Sequence, residues 1–196
     1  MATRYFGQPI KRNEDARLLT GQATFVDDIH LTGMLHAAFV RSDYAHARIK
    51  RIDATAALAM PGVVAVITAA DLGDYWQPGP LLVPPPPVKD LVFNARTQVP
   101  LAKDKVRHVG EPIAVVVADS RYAAEDAAEQ VFVEVEMLPA VVDITRALDP
   151  AAPLIHEDLR QNLNAHVIQR KGDYEQARRE ADVLIKHYLA AALKTP

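Results

Sequence analysis

Seven histidines are the residues of this sequence most able to hold a metal ion or to move a proton. His30, His36 and His46 are six and ten residues apart, a spacing that matches no compact ligand motif. His36 lies inside an apolar run, so we interpret it as a hydrogen-bonded core residue. The segment 156–158, with the sequence His-Glu-Asp, and His187 offer no better spacing. The sequence therefore predicts structural histidines rather than metal ligands.

Two pairs of adjacent carboxylates, Glu14-Asp15 and Asp27-Asp28, have the groups that acid–base catalysis uses. That chemistry needs two carboxyl groups that face one substrate across several ångströms, and adjacency along the chain does not provide this arrangement. Acidic residues are also common in turns and at the start of helices. We therefore predict turn and capping roles for both pairs.

Ser42, Asp43 and His46 have the residue types of a nucleophile, an orienting group and a base. Catalytic triads are assembled in space, however, and no glycine pattern of a nucleophile elbow surrounds Ser42. The eight glycines form no dinucleotide or phosphate fingerprint. Gly110, at the entrance to an apolar strand, is interpreted as a tight turn that needs a positive φ or a close backbone approach. The residues alone predict no catalytic, cofactor-binding or metal-binding residue.

Composition and charge exclude several classes of function. The 196 residues carry a net charge of −3, which gives no reason to expect a nucleic-acid partner. No apolar run reaches the roughly 20 residues that span a bilayer, and the first residues do not have the pattern of a secretory signal. The absence of cysteine excludes disulfides, thiolate zinc sites and cysteine-held iron–sulfur clusters within these residues. It also fits a reducing compartment, so we expect a cytoplasmic location.

The first group of predicted elements is a strand–helix–strand unit. Residues 34–40 are an apolar run that predicts a strand, and residues 49–52 predict a second. Asp53 can cap a short helix over residues 54–60, which ends at Pro61-Gly62. The β-branched run at residues 63–67 then predicts a buried strand.

A second strand–helix–strand unit follows. Residues 113–118 have the pattern of a buried strand, and Asp119 or Ser120 can cap an alanine-rich helix over residues 121–130. Valines at positions 131, 133 and 135 alternate with charged or aromatic residues, which predicts a half-buried strand.

Residues 73–100 contain seven prolines, four of them consecutive at 84–87. Consecutive prolines lack amide donors and favour polyproline II, so we predict a long extended loop. Its length suggests a surface that a partner covers, and a ligand for a proline-recognition module is the alternative. Beyond Asp149-Pro150, residues 164–170 and 183–189 predict strands, and a helix over 174–181 begins with a capping box at Asp173.

The predicted fold class is therefore α/β or α+β, with mixed sheets and short helices. We place one α/β domain with an N-terminal arm at residues 1–150. Residues 151–196 form a connecting segment with a strand–helix–strand pattern.

Five segments, in this order along the chain, carry a resemblance to a known family. They are Arg-Asn-Glu-Asp-Ala-Arg-Leu-Leu-Thr-Gly at residues 12–21, Gly-Met-Leu-His-Ala-Ala-Phe-Val-Arg-Ser at 33–42, Pro-Gly-Val at 61–63, Val-Gly-Glu-Pro-Ile-Ala-Val-Val at 109–116 and Val-Glu-Met-Leu-Pro at 135–139. Together they resemble the large subunits of the xanthine dehydrogenase, aldehyde oxidase and aerobic carbon monoxide dehydrogenase group.

The resemblance implies that residues 1–150 form the α/β hammerhead domain of that family, and that residues 151–196 lead toward a molybdenum-binding domain. Family members oxidise aldehydes, aromatic heterocycles or carbon monoxide with water as the oxygen source. The resemblance also implies molybdopterin cytosine dinucleotide, iron–sulfur clusters and FAD in the full complex, with none bound by this chain alone. The implied partners are a molybdenum-binding chain or domain, an iron–sulfur subunit and an FAD subunit.

No residue of this sequence matches the family's cofactor-binding loops or its catalytic glutamate. The function that the resemblance implies is therefore a non-catalytic structural portion, or a split subunit, of a molybdenum hydroxylase. A split gene, a truncated reading frame and an excised part of a longer chain are all compatible with this expectation. The alternative is a stand-alone binding or scaffolding module that retains the fold without enzyme activity.

Overall fold

The computed structural model describes residues 7, 9–81, 85, 87–94, 96–169 and 171–185. It forms two compact units that interleave along the chain. The first unit comprises residues 1–75 and 101–138, and the second comprises residues 76–100 and 139–196. The combination of short helices and small sheets confirms the predicted fold class. The domain boundary near residue 150 stays a prediction.

The regular elements are short. The helices are α1 (Asp15–Leu19), α2 (Thr55–Leu58), α3 (Arg121–Ala128) and α4 (Tyr174–Glu180). The strands are β1 (His36–Arg41), β2 (Ala47–Asp53), β3 (Val63–Thr68), β4 (Leu91–Phe93), β5 (Lys105–Val106), β6 (Pro112–Ala118), β7 (Phe132–Met137) and β8 (Ala165–Val167). Short 3₁₀ helices occupy Val26–Asp28 and Gly73–Tyr75.

Two three-stranded sheets make up the first unit. Sheet 1 has the order β1-β6-β3, and sheet 2 has the order β5-β2-β7. Every pairing within them is antiparallel, which corrects the expectation of mixed sheets. The turn at Gly110 brings β6 in beside the end of β1, so β6 must run back along it.

The two strand–helix–strand units interlock. The unit β2-α2-β3 contributes β2 to sheet 2 and β3 to sheet 1, and the unit β6-α3-β7 contributes β6 to sheet 1 and β7 to sheet 2. The first strand of each unit pairs with the last strand of the other, because β2 pairs with β7 and β3 pairs with β6. The two strands of each unit therefore lie in different sheets and do not pair with each other.

Helices α2 and α3 cover one face of sheet 1. Ala57 of α2, Ala127 of α3, Val116 of β6 and Val131 form a buried cluster there. The alanines let the helices approach the sheet closely. Ser120 begins α3, as predicted, because its hydroxyl accepts a hydrogen bond from the Ala123 amide at 3.2 Å. A second cluster of Ala47, Ala102, Val106 and Ile113 packs with the inner valines of β7.

The two ends of β3 are anchored by specific contacts. Gly62 has a φ of 82°, which favours glycine, and its carbonyl accepts a hydrogen bond from the Asp119 amide at 2.9 Å. At the other end, the Asp71 carboxylate accepts hydrogen bonds from the Thr68 amide at 2.7 Å and hydroxyl at 2.8 Å. β3 is half-buried rather than buried, because a bulge turns Val64 outward.

The second unit contains the pairing of β4 with β8. The predicted loop over residues 73–100 is therefore wrong in part, because Leu91–Phe93 forms a strand whose partner lies far along the chain. Within the prolines at 84–87, residues 84 and 86 lie outside the described residues. No helix in the ranges that the structure describes is long and apolar enough to cross a membrane.

The last predicted elements have mixed outcomes. β8 ends at Val167, short of the predicted 164–170, and residue 170 lies outside the described part of the chain. Helix α4 begins after Asp173, whose carboxylate accepts a hydrogen bond from the Gln176 amide at 2.9 Å, as the capping pattern predicts. The predicted strand over 183–189 is absent at residues 183–185, and the remainder lies outside the described residues.

Candidate functional site

The histidines do not converge. Across the described ranges, no three His, Asp or Glu side chains lie close enough to hold a metal ion. His36 is half-buried in β1, and His46 is buried just before β2, where its carbonyl accepts a hydrogen bond from the Leu138 amide at 2.9 Å. These positions support structural roles for both side chains. His187 lies outside the described residues.

The adjacent carboxylates act locally. Asp15 accepts hydrogen bonds from the Arg12 amide at 3.2 Å and from its guanidinium at 3.0 Å. Asp28 accepts one from the Phe25 amide at 2.9 Å, which closes the 3₁₀ helix. Asp27 forms an exposed ion pair with Arg121 at 3.1 Å. The geometry supports the turn interpretation for Asp15 and Asp28.

Ser42 is a turn residue. Its hydroxyl donates to the Tyr44 carbonyl at 2.9 Å and accepts from the Tyr44 amide at 3.0 Å. Only 4% of the residue is exposed to solvent. Its hydroxyl is thus held by the backbone of its own loop, an arrangement that closes a turn and offers no nucleophile.

Gly110 lies in the turn between β5 and β6, and this turn contacts the end of β1. Gly110 has a φ of 84°, as the prediction of a positive φ requires, and its amide donates to the Ser42 carbonyl at 2.7 Å. Its carbonyl accepts a hydrogen bond from the Arg41 guanidinium at 2.9 Å. Sequence reasoning missed Glu111, whose buried carboxylate accepts a hydrogen bond from the Arg107 amide and lies 3.7 Å from Nδ1 of His108.

Lys105 is a second buried charge that sequence reasoning missed. It lies in β5, and only 6% of the residue is exposed to solvent. Desolvation lowers the pKa of Lys105, and the positive charges of Arg107 and Arg48 add to that effect. β5 has only two residues, so no pattern of alternating polar and apolar residues could predict that Lys105 is buried.

One outward surface of the first unit is charged. We call it the charged face: the outward side of sheet 2, with Arg48, Lys50 and Arg51 on β2 and Glu134 and Glu136 on β7. Lys50 lies 2.6 Å from Glu136, and Arg51 lies 4.0 Å from Glu134. The hydrogen bond and charge of Lys50 lower the pKa of Glu136. Such cross-strand pairs are typical of a surface in contact with water.

The other outward surface is apolar. We call it the apolar face: the side of sheet 1 opposite α2 and α3. Cross-strand partners lie on the same side of a sheet, and the registers align Ala37 and Phe39 of β1 with Val117 and Val115 of β6, and these with Ala65 and Ile67 of β3. Phe39 is 49% exposed, and the four residues on β6 and β3 are half-buried.

The comparison with known families settles the identity of the domain. The family described as aldehyde oxidase and xanthine dehydrogenase, a/b hammerhead domain, matches residues 20–139. The chain belongs to this family. The match spans β1 to β7 and so includes both faces of the first unit.

Relatives extend the likeness beyond the hammerhead domain. The chain is 46% identical over 153 residues to the carbon monoxide dehydrogenase large chain of Afipia carboxidovorans, and this match covers 78% of the chain and 18% of that protein. It is 40% identical over 187 residues to the nicotine 6-hydroxylase large subunit of Paenarthrobacter nicotinovorans, covering 91% of the chain and 21% of that subunit. The chain therefore spans about a fifth of the length of these relatives.

A solved structure shows the same fold. Quinoline 2-oxidoreductase from Pseudomonas putida 86 matches with a TM-score of 0.70 and 43% identity, over 79% of this chain and 19% of that chain. These relatives are molybdenum hydroxylases, of which the hammerhead domain is one portion.

Proposed function

We propose that this chain is the hammerhead portion of a molybdenum hydroxylase large subunit, and that it serves as a structural part without a catalytic residue of its own. The observation that carries the proposal is the placement of its phenylalanines. Phe25, Phe39 and Phe132 are 63%, 49% and 57% exposed. Phenylalanine is among the residues most often buried in folded proteins, so these side chains are suited to contact with further protein.

The core of the chain supports the same proposal. The buried hydrophobic residues of the described ranges are mostly alanines and valines, and the largest fully buried side chains are Val106 and Val116. A core of small side chains removes little apolar surface from water. Contact with a molybdenum-binding chain or domain across the apolar face would bury Phe39 as well.

The relatives support a larger assembly, which we propose as follows. It contains a molybdenum-binding chain or domain, an iron–sulfur subunit and an FAD subunit, located in the cytoplasm. Molybdopterin cytosine dinucleotide, iron–sulfur clusters and FAD would be held by those partners, and no residue of this chain is assigned to them. The proposed substrates are aldehydes, aromatic heterocycles or carbon monoxide, and the relatives include proteins named for carbon monoxide, nicotine and quinoline.

The proline-rich segment stays part of the proposal. We propose that residues 73–90 are covered by a partner, since they precede β4 and contain six of the fourteen prolines. Deletion of residues 78–87 should weaken the assembly without unfolding the first unit, because that unit ends at Tyr75 and resumes at Leu101. An assembly of unchanged stability would remove the segment from the interface.

The deciding experiment is a native pull-down of the tagged chain from its own host, followed by molybdenum analysis and peptide identification. We expect a molybdenum-bearing partner and an iron–sulfur protein in the eluate. The matched variants are Phe39→Thr on the apolar face and Lys50→Thr on the charged face. Phe39→Thr should reduce the recovered molybdenum, whereas Lys50→Thr should leave it unchanged.

The opposite result would favour a stand-alone module. A metal-free monomer, recovered from a host that makes the protein abundantly, contradicts the subunit proposal. Equal effects of the two variants would contradict the apolar face as the contact, even if the assembly itself forms.

A further inference from the structure

Strand β1 is an edge strand of sheet 1, and in the described residues its only strand partner is β6. Both backbone groups of Ser42, just beyond β1, face β6, because its amide donates to Glu111 at 3.0 Å and its carbonyl accepts from Gly110 at 2.7 Å. Backbone groups alternate in direction along a strand. Those of Arg41, Phe39 and Ala37 therefore point away from β6, toward an edge that offers donors and acceptors.

This edge lacks the usual protection against pairing. Natural edge strands are kept apart by lysine, proline, inward charges or shortness. β5 has two residues, and β7 carries Glu134 and Glu136 in alternation. β1 has six residues with the sequence His-Ala-Ala-Phe-Val-Arg, and Arg41 and the register shift beside it lie at its end, which leaves residues 36–40 without lysine, arginine, carboxylate or proline. Its edge is therefore open to a further strand.

A groove of about 640 Å³ runs along this edge of β1, within the first unit. Val131, Val133 and Val135 line it on the β7 side, and Ala128 lines it on the α3 side. An extended segment in the groove could place alternate side chains against these valines while its backbone pairs with β1.

The charges around the groove determine the kind of segment that fits. Three exposed carboxylates line it, Glu125 of α3, Glu129 just after α3 and Asp43 of the loop after β1, and none forms an ion pair with a described residue. Arg41 also lines the groove, but its guanidinium donates to the Gly110 carbonyl and lies 5.1 Å from the centre of the Phe39 ring. The available charge is therefore acidic.

We propose that the groove binds an extended segment of a partner protein, with apolar and basic residues together on the side that faces the groove, which adds to sheet 1 as a fourth strand along β1. A second copy of this chain does not fit as well, because two antiparallel β1 edges would bring two sets of Glu125 and Glu129 together. The proposal concerns the edge of sheet 1 and does not depend on the molybdenum assembly.

The test uses the full chain and a synthetic peptide with blocked ends, the lysine peptide, in which threonine occupies every second position and valine and lysine take turns at the positions between, so that valine and lysine share one side of the strand. The matched control is the glutamate peptide, which has glutamate in place of lysine. Calorimetry should show that the lysine peptide binds roughly tenfold more tightly than the control, and that added salt weakens its binding. Hydrogen exchange should slow at the outward amides of Ala37, Phe39 and Arg41.

Two variants separate charge from backbone pairing. The double variant Glu125→Gln, Glu129→Gln should weaken binding of the lysine peptide by roughly three- to tenfold, whereas Glu134→Gln with Glu136→Gln, on the charged face, should not. Ala37→Pro removes one outward donor and should abolish most binding while the melting temperature shows a folded chain. If Ala37→Pro does not fold, the proposal is tested by the affinities of the two glutamine double variants for the lysine peptide.

Three outcomes would overturn the proposal. The first is equal binding of the lysine and glutamate peptides. The second is slowed exchange along β7 with none along β1. The third is a dimer of the chain whose interface protects β1, since that result would make a second copy the occupant. None of these outcomes would change the result of the molybdenum pull-down. The groove proposal and the proposed function can therefore fail separately.

Discussion

The charged face and the apolar face belong to one domain, yet they present opposite chemistry to the outside. Both sheets alternate inward and outward side chains, and in both the inward residues are mainly alanine, valine and isoleucine. On sheet 2 the outward residues are arginine, lysine and glutamate in cross-strand pairs, with the exposed Phe132 at the first position of β7. On sheet 1 they are Phe39, Val115, Val117 and Ile67.

The two faces differ in how well water solvates them. Exposed ion pairs contribute little stability, but they keep a sheet face solvated and discourage association. An apolar sheet face gains free energy only when something covers it. The contrast within one domain thus favours the apolar face of sheet 1 for the proposed contact with protein.

The largest effect should come from the helix-covered side of sheet 1. Val116→Ala removes a fully buried side chain from the cluster with Ala57 and Ala127, so the free energy of unfolding should fall by about 2–3 kcal/mol. Val117→Ala, on the apolar face of the same strand, should cost less than about 1 kcal/mol in the isolated chain. Urea unfolding of both variants measures the difference. Equal losses would mean that the apolar face is already covered within the chain.

The next effect tests the register of β3, which places Ala65 and Ile67 on the apolar face. A one-residue slip of β3 would exchange its two faces, and Gly62 fixes where β3 begins. Gly62→Ala should lower the free energy of unfolding by about 1–2 kcal/mol, because its φ of 82° disfavours a side chain. The new Cβ would also lie 2.5 Å from an Asp119 carboxylate oxygen. Gly33 has a similar φ of 76°, but nothing lies within 4 Å of a Cβ added there, so Gly33→Ala is the control. A larger loss of unfolding free energy for Gly62→Ala would show the contribution of Asp119.

A smaller effect tests the charged face. Glu136→Lys would place three cations together, because Glu136 lies between Arg48 and Lys50. The melting temperature should fall at low salt and recover at high salt, since salt screens the repulsion. Glu136→Gln removes the attraction without adding repulsion and should have a smaller salt dependence. A melting temperature that ignores salt in both variants would contradict an electrostatic role for this face.

The smallest effect concerns the far end of β3. The Thr68 amide and hydroxyl lower the pKa of Asp71 below its ordinary 3.8. A lowered folded-state pKa means that this stabilisation is present above about 3.8 and is lost as the pH falls through the folded value. Asp71→Asn should cost less than about 1 kcal/mol at neutral pH, because the carboxylate is exposed. Thermal melts between pH 2 and pH 6 should show a smaller acid loss for the variant, and identical pH profiles would exclude Asp71 from the acid response.

Much of the local structure could be predicted from patterns. The β-branched run at 113–118, the alanine-rich stretch after Ser120 and the alternating valines at 131, 133 and 135 all correspond to elements close to their predicted bounds. These signals are local, because strand and helix periodicities and caps depend on neighbouring residues. β4 was missed for the opposite reason, since its three residues are held by β8 more than seventy positions away.

The features of the candidate site also divide into those that the sequence predicts and those that depend on the tertiary structure. The sequence by itself determined that Gly110 needs a turn, that a helix follows Asp119 or Ser120 and, through its ordered motifs, that the chain belongs with the hammerhead family. Only the tertiary structure decided that β2 pairs with β7 and β3 with β6, which assigns the charged side chains to one outward face and the apolar ones to another. The physical reason is that alternation tells which residues share a side of a strand, whereas the choice of neighbouring strand and register decides what covers each side. The open edge of β1 likewise exists only because β6 occupies one of its sides and no described strand occupies the other.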